Sequence, residues 1–129
     1  MGKKIKKIFV SVAMNGREDN EIRKDIMSLI DLGKAYFGND ASFVDNYDLK
    51  LFPPEGVTNE RVWYLSEAIK KLAGCDAMIT FDNDVTSRAN GCRIEREICY
   101  SYGIPVFRIE DWGFRERVKN TEEVPTCEG

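Results

Sequence analysis

Any acid–base or nucleophilic chemistry in this chain falls first to carboxylates, because the sequence contains no histidine. That absence removes His general bases, Ser-His-Asp and Cys-His nucleophile systems, and His-ligated metals. One acid stands apart. Around a helix read from about Gly91 to Tyr102, at about 100° per residue, Cys92, Ile94, Ile98, Cys99 and Tyr102 share one half of the wheel. Arg93, Arg96, Glu97 and Tyr100 take the other. Glu95 is the only charge inside the apolar half, and it sits in the first turn. A carboxylate aimed inward must be paired, protonated or facing a cavity. The helix dipole favours its ionised form and burial opposes it. The competing structural role is that of a partner for Arg88, Arg93 or a backbone N–H at the helix start.

The remaining composition narrows the function class. Four cysteines, Cys75, Cys92, Cys99 and Cys127, include no C-x-x-C pair. Without histidines a zinc site would need all four, so they read as reduced thiols of a cytoplasmic protein. Cys92 is near Glu95, but with no base to activate it the reading is a small hydrophobe. Neither a metal nor a cofactor is expected. The net charge of −3 over 129 residues leaves no footprint for a nucleic-acid polymer. No apolar run approaches the roughly 20 residues that cross a bilayer, so no membrane partner is expected. Lys3, Lys4, Lys6 and Lys7 read as a small solubilising basic cluster at the amino end.

The elements that must position Glu95 alternate in type. Ile5–Ala13 reads as a strand ending near the turn dipeptide Asn15-Gly16. Asp19 or Asn20 caps a helix with Ile22, Ile26, Leu29 and Ile30 on one face, running to about Phe37. Ala41–Asp45 is a short strand, and 46–59 a loop carrying Pro53-Pro54 and Gly56. A helix follows from Thr58 or Asn59 to Gly74, with Val62, Leu65, Ile69 and Leu72 as its stripe. Ala77–Phe81 is a near-continuous apolar strand, as in a sheet covered on both faces. A polar loop spans Asp82–Asn90, then comes the helix of Glu95, stopped by Gly103, and a strand over Ile104–Ile109.

This order predicts a single α/β domain over 1–117, a three-layer Rossmann/flavodoxin-like fold with a mostly parallel sheet of four or five strands. Residues 118–129 read as a flexible acidic tail. Ligands of such sheets bind at the carboxyl ends of the strands, here the loops 11–19, 45–59 and 82–91.

Three segments together resemble the nucleoside 2-deoxyribosyltransferase-like superfamily, most closely a small branch found in bacteria and phages. They are Phe9–Arg17 (FVSVAMNGR), Leu65–Ile79, and Gly91-Cys92-Arg93-Ile94-Glu95 followed by Tyr102-Gly103-Ile104-Pro105-Val106. The resemblance covers roughly residues 5–109. It implies that Glu95 is a nucleophile attacking the anomeric carbon of a nucleoside or nucleotide, releasing the base and leaving a glycosyl ester. A second base or water then resolves it. The first loop would cradle sugar or phosphate through Ser11, Met14, Asn15, Gly16 and Arg17. A glycine turn, a helix start and an arginine fork suit a phosphate, although Asn15-Gly16 is equally explained as a strand-to-helix turn.

Two positions depart from the superfamily pattern: Ala68 and Ala89 stand where its members carry acid–base or hydroxyl groups. Ser87 and Asn90 are the neighbouring substitutes for Ala89. Asp82 and Asp84 are the candidates to protonate the leaving base or hold sugar hydroxyls, against a role as solvated turn acids. Trp63 and Tyr64 either stack on a base or belong to the core or a subunit interface. Ser87, Asn90, Gly91 and Cys92 complete the expected substrate wall with Trp63.

The expected function is therefore an N-glycosidic-bond enzyme, either a deoxyribosyltransferase or a nucleoside 5′-monophosphate N-hydrolase. A non-catalytic binder of a nucleotide or ADP-ribose derivative is the alternative, and a structural or interaction protein a third class. The resemblance also implies a homo-oligomer whose neighbouring subunit completes the site.

Overall fold

Residues 5–47, 50–110 and 118–120 are described by a computed structural model. The strands are β1 (Lys7–Ser11), β2 (Ser42–Val44), β3 (Ala77–Phe81), β4 (Val106–Ile109) and β5 (Val118–Asn120). The helices are α1 (Asp19–Phe37), α2 (Glu60–Leu72), α3 (Asp84–Arg88) and α4 (Asn90–Tyr102). The sheet order is β2-β1-β3-β4-β5. The first four strands are parallel, and β5 pairs antiparallel with β4. This is the expected three-layer α/β architecture.

Alternation along the strands sorts the core into two layers. Ile8 and Val10 point to one face of the sheet, where Ile22, Ile26 and Leu29 of α1 cover them with Ile79 and Phe107. Phe9 and Met78 point to the other face and pack with Ala68 and Leu72 of α2, Cys99 of α4 and Val106. β3 is buried at all five positions, as its unbroken apolar run requires. Gly33 lets α1 lie close to the sheet: a β-carbon there would stand 2.5 Å from the Phe43 ring. At the amino ends, one Asp76 carboxylate oxygen accepts from the backbone N–H groups of Lys6 and Lys7, each at 3.0 Å.

Three expectations are corrected. Within the expected loop Asp82–Asn90, residues Asp84–Arg88 form a helical turn, because the Asn83 side chain accepts from the Thr86 N–H at 2.8 Å and caps it. Residues 118–120, assigned to a tail, pair along the β4 edge, where Val118 stands opposite Ile109; an unpaired edge is satisfied by such a strand. Tyr102, placed on the apolar half of its helix, is 79% exposed at the last position of α4. Residues 1–4 of the basic amino end and 121–129 of the tail lie outside the described residues. No helix among the described residues is long and apolar enough to cross a membrane.

Candidate active site at the β1–β3 switch point

The chain runs from β1 outward to β2 and then returns to the other side of β1 as β3, so the strand order reverses between β1 and β3. A crevice forms at the carboxyl ends of the strands at such a point. Ser11 is the last residue of β1. It shares the side of the strand occupied by Phe9, the side on which α4 packs. The Ser11 hydroxyl therefore meets the first turns of α4, where it donates to Glu95 Oε1 at 2.7 Å. Thr80 of β3 donates to the Ser11 carbonyl at 2.8 Å and ties the two strand ends together.

Glu95 is 8% exposed and Ser11 2%. The buried face of α4 is Cys92, Glu95 and Cys99, at spacings of three and four. Glu95 thus occupies the centre of the apolar stripe as expected, but it lies in the second turn of α4 and not the first, because the helix already begins at Asn90. No salt bridge to Arg88 or Arg93 engages it, so neither competing partner is realised. Among the described residues no sealed side-chain oxygen lacks a hydrogen-bond partner. Oε1 has Ser11, so Oε2 is the oxygen left facing the small remaining opening.

Burial pushes the Glu95 carboxyl up to about 7, while the Ser11 hydrogen bond and the positive charge of Arg96 pull it down. Near neutral pH it is poised between acid and carboxylate. The same burial pushes the Cys92 thiol up to about 11, although Ser11 also contacts it. Cys92 is therefore a neutral wall beside the pair, in line with its reading as a small hydrophobe.

The other expected site residues divide. Gly16 turns the β1–α1 loop with φ +77°, a conformation that favours glycine. Asn15 is exposed beside it, and Met14 packs onto the α1-side core. Arg17 turns back on its own loop: Nη1 donates to the Ala13 carbonyl at 2.9 Å and to Asp25 at 2.8 Å. The nitrogen expected to hold a phosphate already serves two protein acceptors. Asp82 is paired with Arg108 of β4 at 2.9 Å. Asp84 and Ser87 are exposed on α3, and the Ser87 carbonyl accepts from Arg96 at 3.4 Å. Trp63 stacks edge-on against Tyr64 at 5.0 Å, and the Tyr64 hydroxyl donates to the Leu51 carbonyl at 2.9 Å. That second bond holds the 46–59 loop against α2. No side chain caps α4, because Ala89 is its N-cap. The helix opens beside exposed Asn90 and beside Gly91, where a β-carbon would meet nothing within 4 Å.

Two residues of this region carried no signal in the reading of the chain. Arg96, counted on the solvent half of its helix, donates to the Thr86 and Ser87 carbonyls at 3.3 and 3.4 Å and binds α3 to α4 beside Glu95. Arg108 fixes Asp82 from the next strand. Neither partnership is local in sequence. Among the described residues, no group of three or more acids and cysteines is arranged to hold a metal ion.

No protein-family model and no curated protein matches the chain. Among solved structures, the chain is similar to a 2-deoxyribosyltransferase from the psychrotolerant bacterium Bacillus psychrosaccharolyticus, with a TM-score of 0.56 and 19% sequence identity. The match covers 84% of this chain and 75% of that one. The two proteins share a fold.

Proposed function

We propose that the protein breaks the N-glycosidic bond of a nucleoside or nucleotide, with Glu95 as the nucleophile. The observation that carries this reading is the buried carboxylate at the switch point, one oxygen held by Ser11 and the other unbonded. In the first step the Glu95 Oε2 lone pair forms a bond to the anomeric carbon, and the bond from that carbon to the base nitrogen breaks. Ser11 holds Oε1 and so aims Oε2 throughout. In the second step water or another base displaces the ester and returns Glu95 to its carboxylate. The similarity to a 2-deoxyribosyltransferase supports the substrate class. A homo-oligomer whose neighbour completes the wall above Glu95 belongs to the same reading.

Incubation with a mixed panel of nucleosides and nucleotides, followed by chromatography of the released bases, tests it. Release of free base by the native protein and none by Glu95→Gln is the expected result. Equal release by both would reject Glu95 as the nucleophile. A second reading, binding without turnover, is favoured by one observation: Asp82, a candidate proton donor, is held in an ion pair by Arg108. A ligand retained without product in native mass spectrometry would select it.

A further inference from the structure

We infer that the site is suited to N-glycosides whose base is already cationic, such as an N-ribosylpyridinium or an N7-alkylated purine, because such a base departs without being protonated. The inference rests on the nucleophile proposed above. A neutral purine or pyrimidine leaves as an anion unless an acid protonates it, and positioned general acids contribute about 10²- to 10⁴-fold. Among the described residues of this chain, the groups around Glu95 do not offer that acid. The Ser11 hydroxyl is spent on Glu95 itself, at 2.7 Å. The Cys92 thiol is 3% exposed, and burial pushes it up to about 11, which makes it a weak acid. Asp82 is clamped by Arg108 at 2.9 Å, and Asp25, on the first-loop side, is clamped by Arg17 at 2.8 Å. Asp84 is exposed to solvent on α3. Ala68 and Ala89 have no proton to give. Glu95 cannot be the acid and the nucleophile in the same step.

With a cationic base the step balances without a donor. The Oε2 lone pair forms the bond to the anomeric carbon. The electrons of the C–N bond go to the ring nitrogen and cancel its positive charge, so the base leaves neutral. Water then adds to the anomeric carbon, the ester bond breaks back to the carboxylate, and one proton is released to solvent. An ionised Glu95 in a poorly solvated site also attracts a cation before reaction.

Two matched pairs separate this from ordinary nucleoside cleavage: N7-methylguanosine against guanosine, and nicotinamide riboside against its neutral dihydro form, each also as the 2′-deoxy sugar. Base release is measured with native protein and with Glu95→Gln, and divided by the uncatalysed rate. The expected enhancement is about 100-fold or more greater for the cationic member of each pair, and lost in the variant. A smaller preference overturns this inference and leaves the proposed nucleophile standing. A preference that survives Glu95→Gln, or no release from any member, overturns both.

Discussion

Replacing Glu95 by glutamine should make the folded protein more stable, and increasingly so as the pH rises. The ordinary value of this carboxyl is 4.5, and burial raises it to about 7 in the fold. The folded state therefore holds the proton more tightly than the unfolded chain. Below about pH 4.5 both states carry it and the residue adds no penalty. Between the two values the unfolded chain releases its proton while the folded state keeps it, so stability falls with rising pH. Above about pH 7 both are ionised and the whole penalty remains. At about 1.4 kcal/mol per pH unit, the interval amounts to about 3 kcal/mol. A glutamine carries no charge to desolvate, and its carbonyl still accepts from Ser11. Urea unfolding of both proteins from about pH 4 to 8 should give equal stability at the acid end. The variant should be ahead by about 3 kcal/mol at the alkaline end, or roughly 10 °C in Tm for a domain of this size. Other titrating groups cancel in the difference. A difference that is flat with pH, or that moves in favour of the native protein as pH rises, would refute the reasoning. It would mean that the fold stabilises the carboxylate instead of straining it.

Ser11→Ala removes the donor that favours the ionised Glu95, a hydrogen bond to a charged group worth about 1.5–3 kcal/mol. The Glu95 midpoint, followed by carboxyl carbon NMR, should move above about 7, by about one to two pH units. An unchanged or lower midpoint would show that Ser11 does not control the ionisation. Gly33→Ala should destabilise the protein even though alanine is the better helix former by about 1 kcal/mol. The new methyl would stand 2.5 Å from the Phe43 ring, and such overpacking costs typically about 1–3 kcal/mol. Denaturant unfolding should show the loss, and Phe43→Leu in the same chain should restore part of it.

The alternation of short apolar runs with amphipathic helices was enough to establish the three-layer α/β architecture. Periodicity reports which side of an element meets the core, and strand–helix alternation leaves few ways to arrange the layers. The isolated acid on the apolar stripe was equally legible, because a charge among Cys92, Ile94, Ile98 and Cys99 violates a local pattern that any reader of the chain can check. What the pattern left open was the partner of that acid. Arg88 and Arg93 were the near candidates, and the tertiary structure chose Ser11, eighty-four positions away.

The same reason governs the other differences. Asp82 and Arg108 are separated by twenty-six residues and meet only because β3 and β4 lie side by side. Nothing in the sequence pairs Arg17 with Asp25, and only the packed loop brings them together. The exposure of Tyr102 depends on what packs over the end of α4, which a helical wheel does not contain. Local chemistry and spacing thus determined which residues belong to the core and which acid does not. Only folding, by bringing distant strand ends together at the switch point, decided which donor holds that acid and which of its two oxygens stays open.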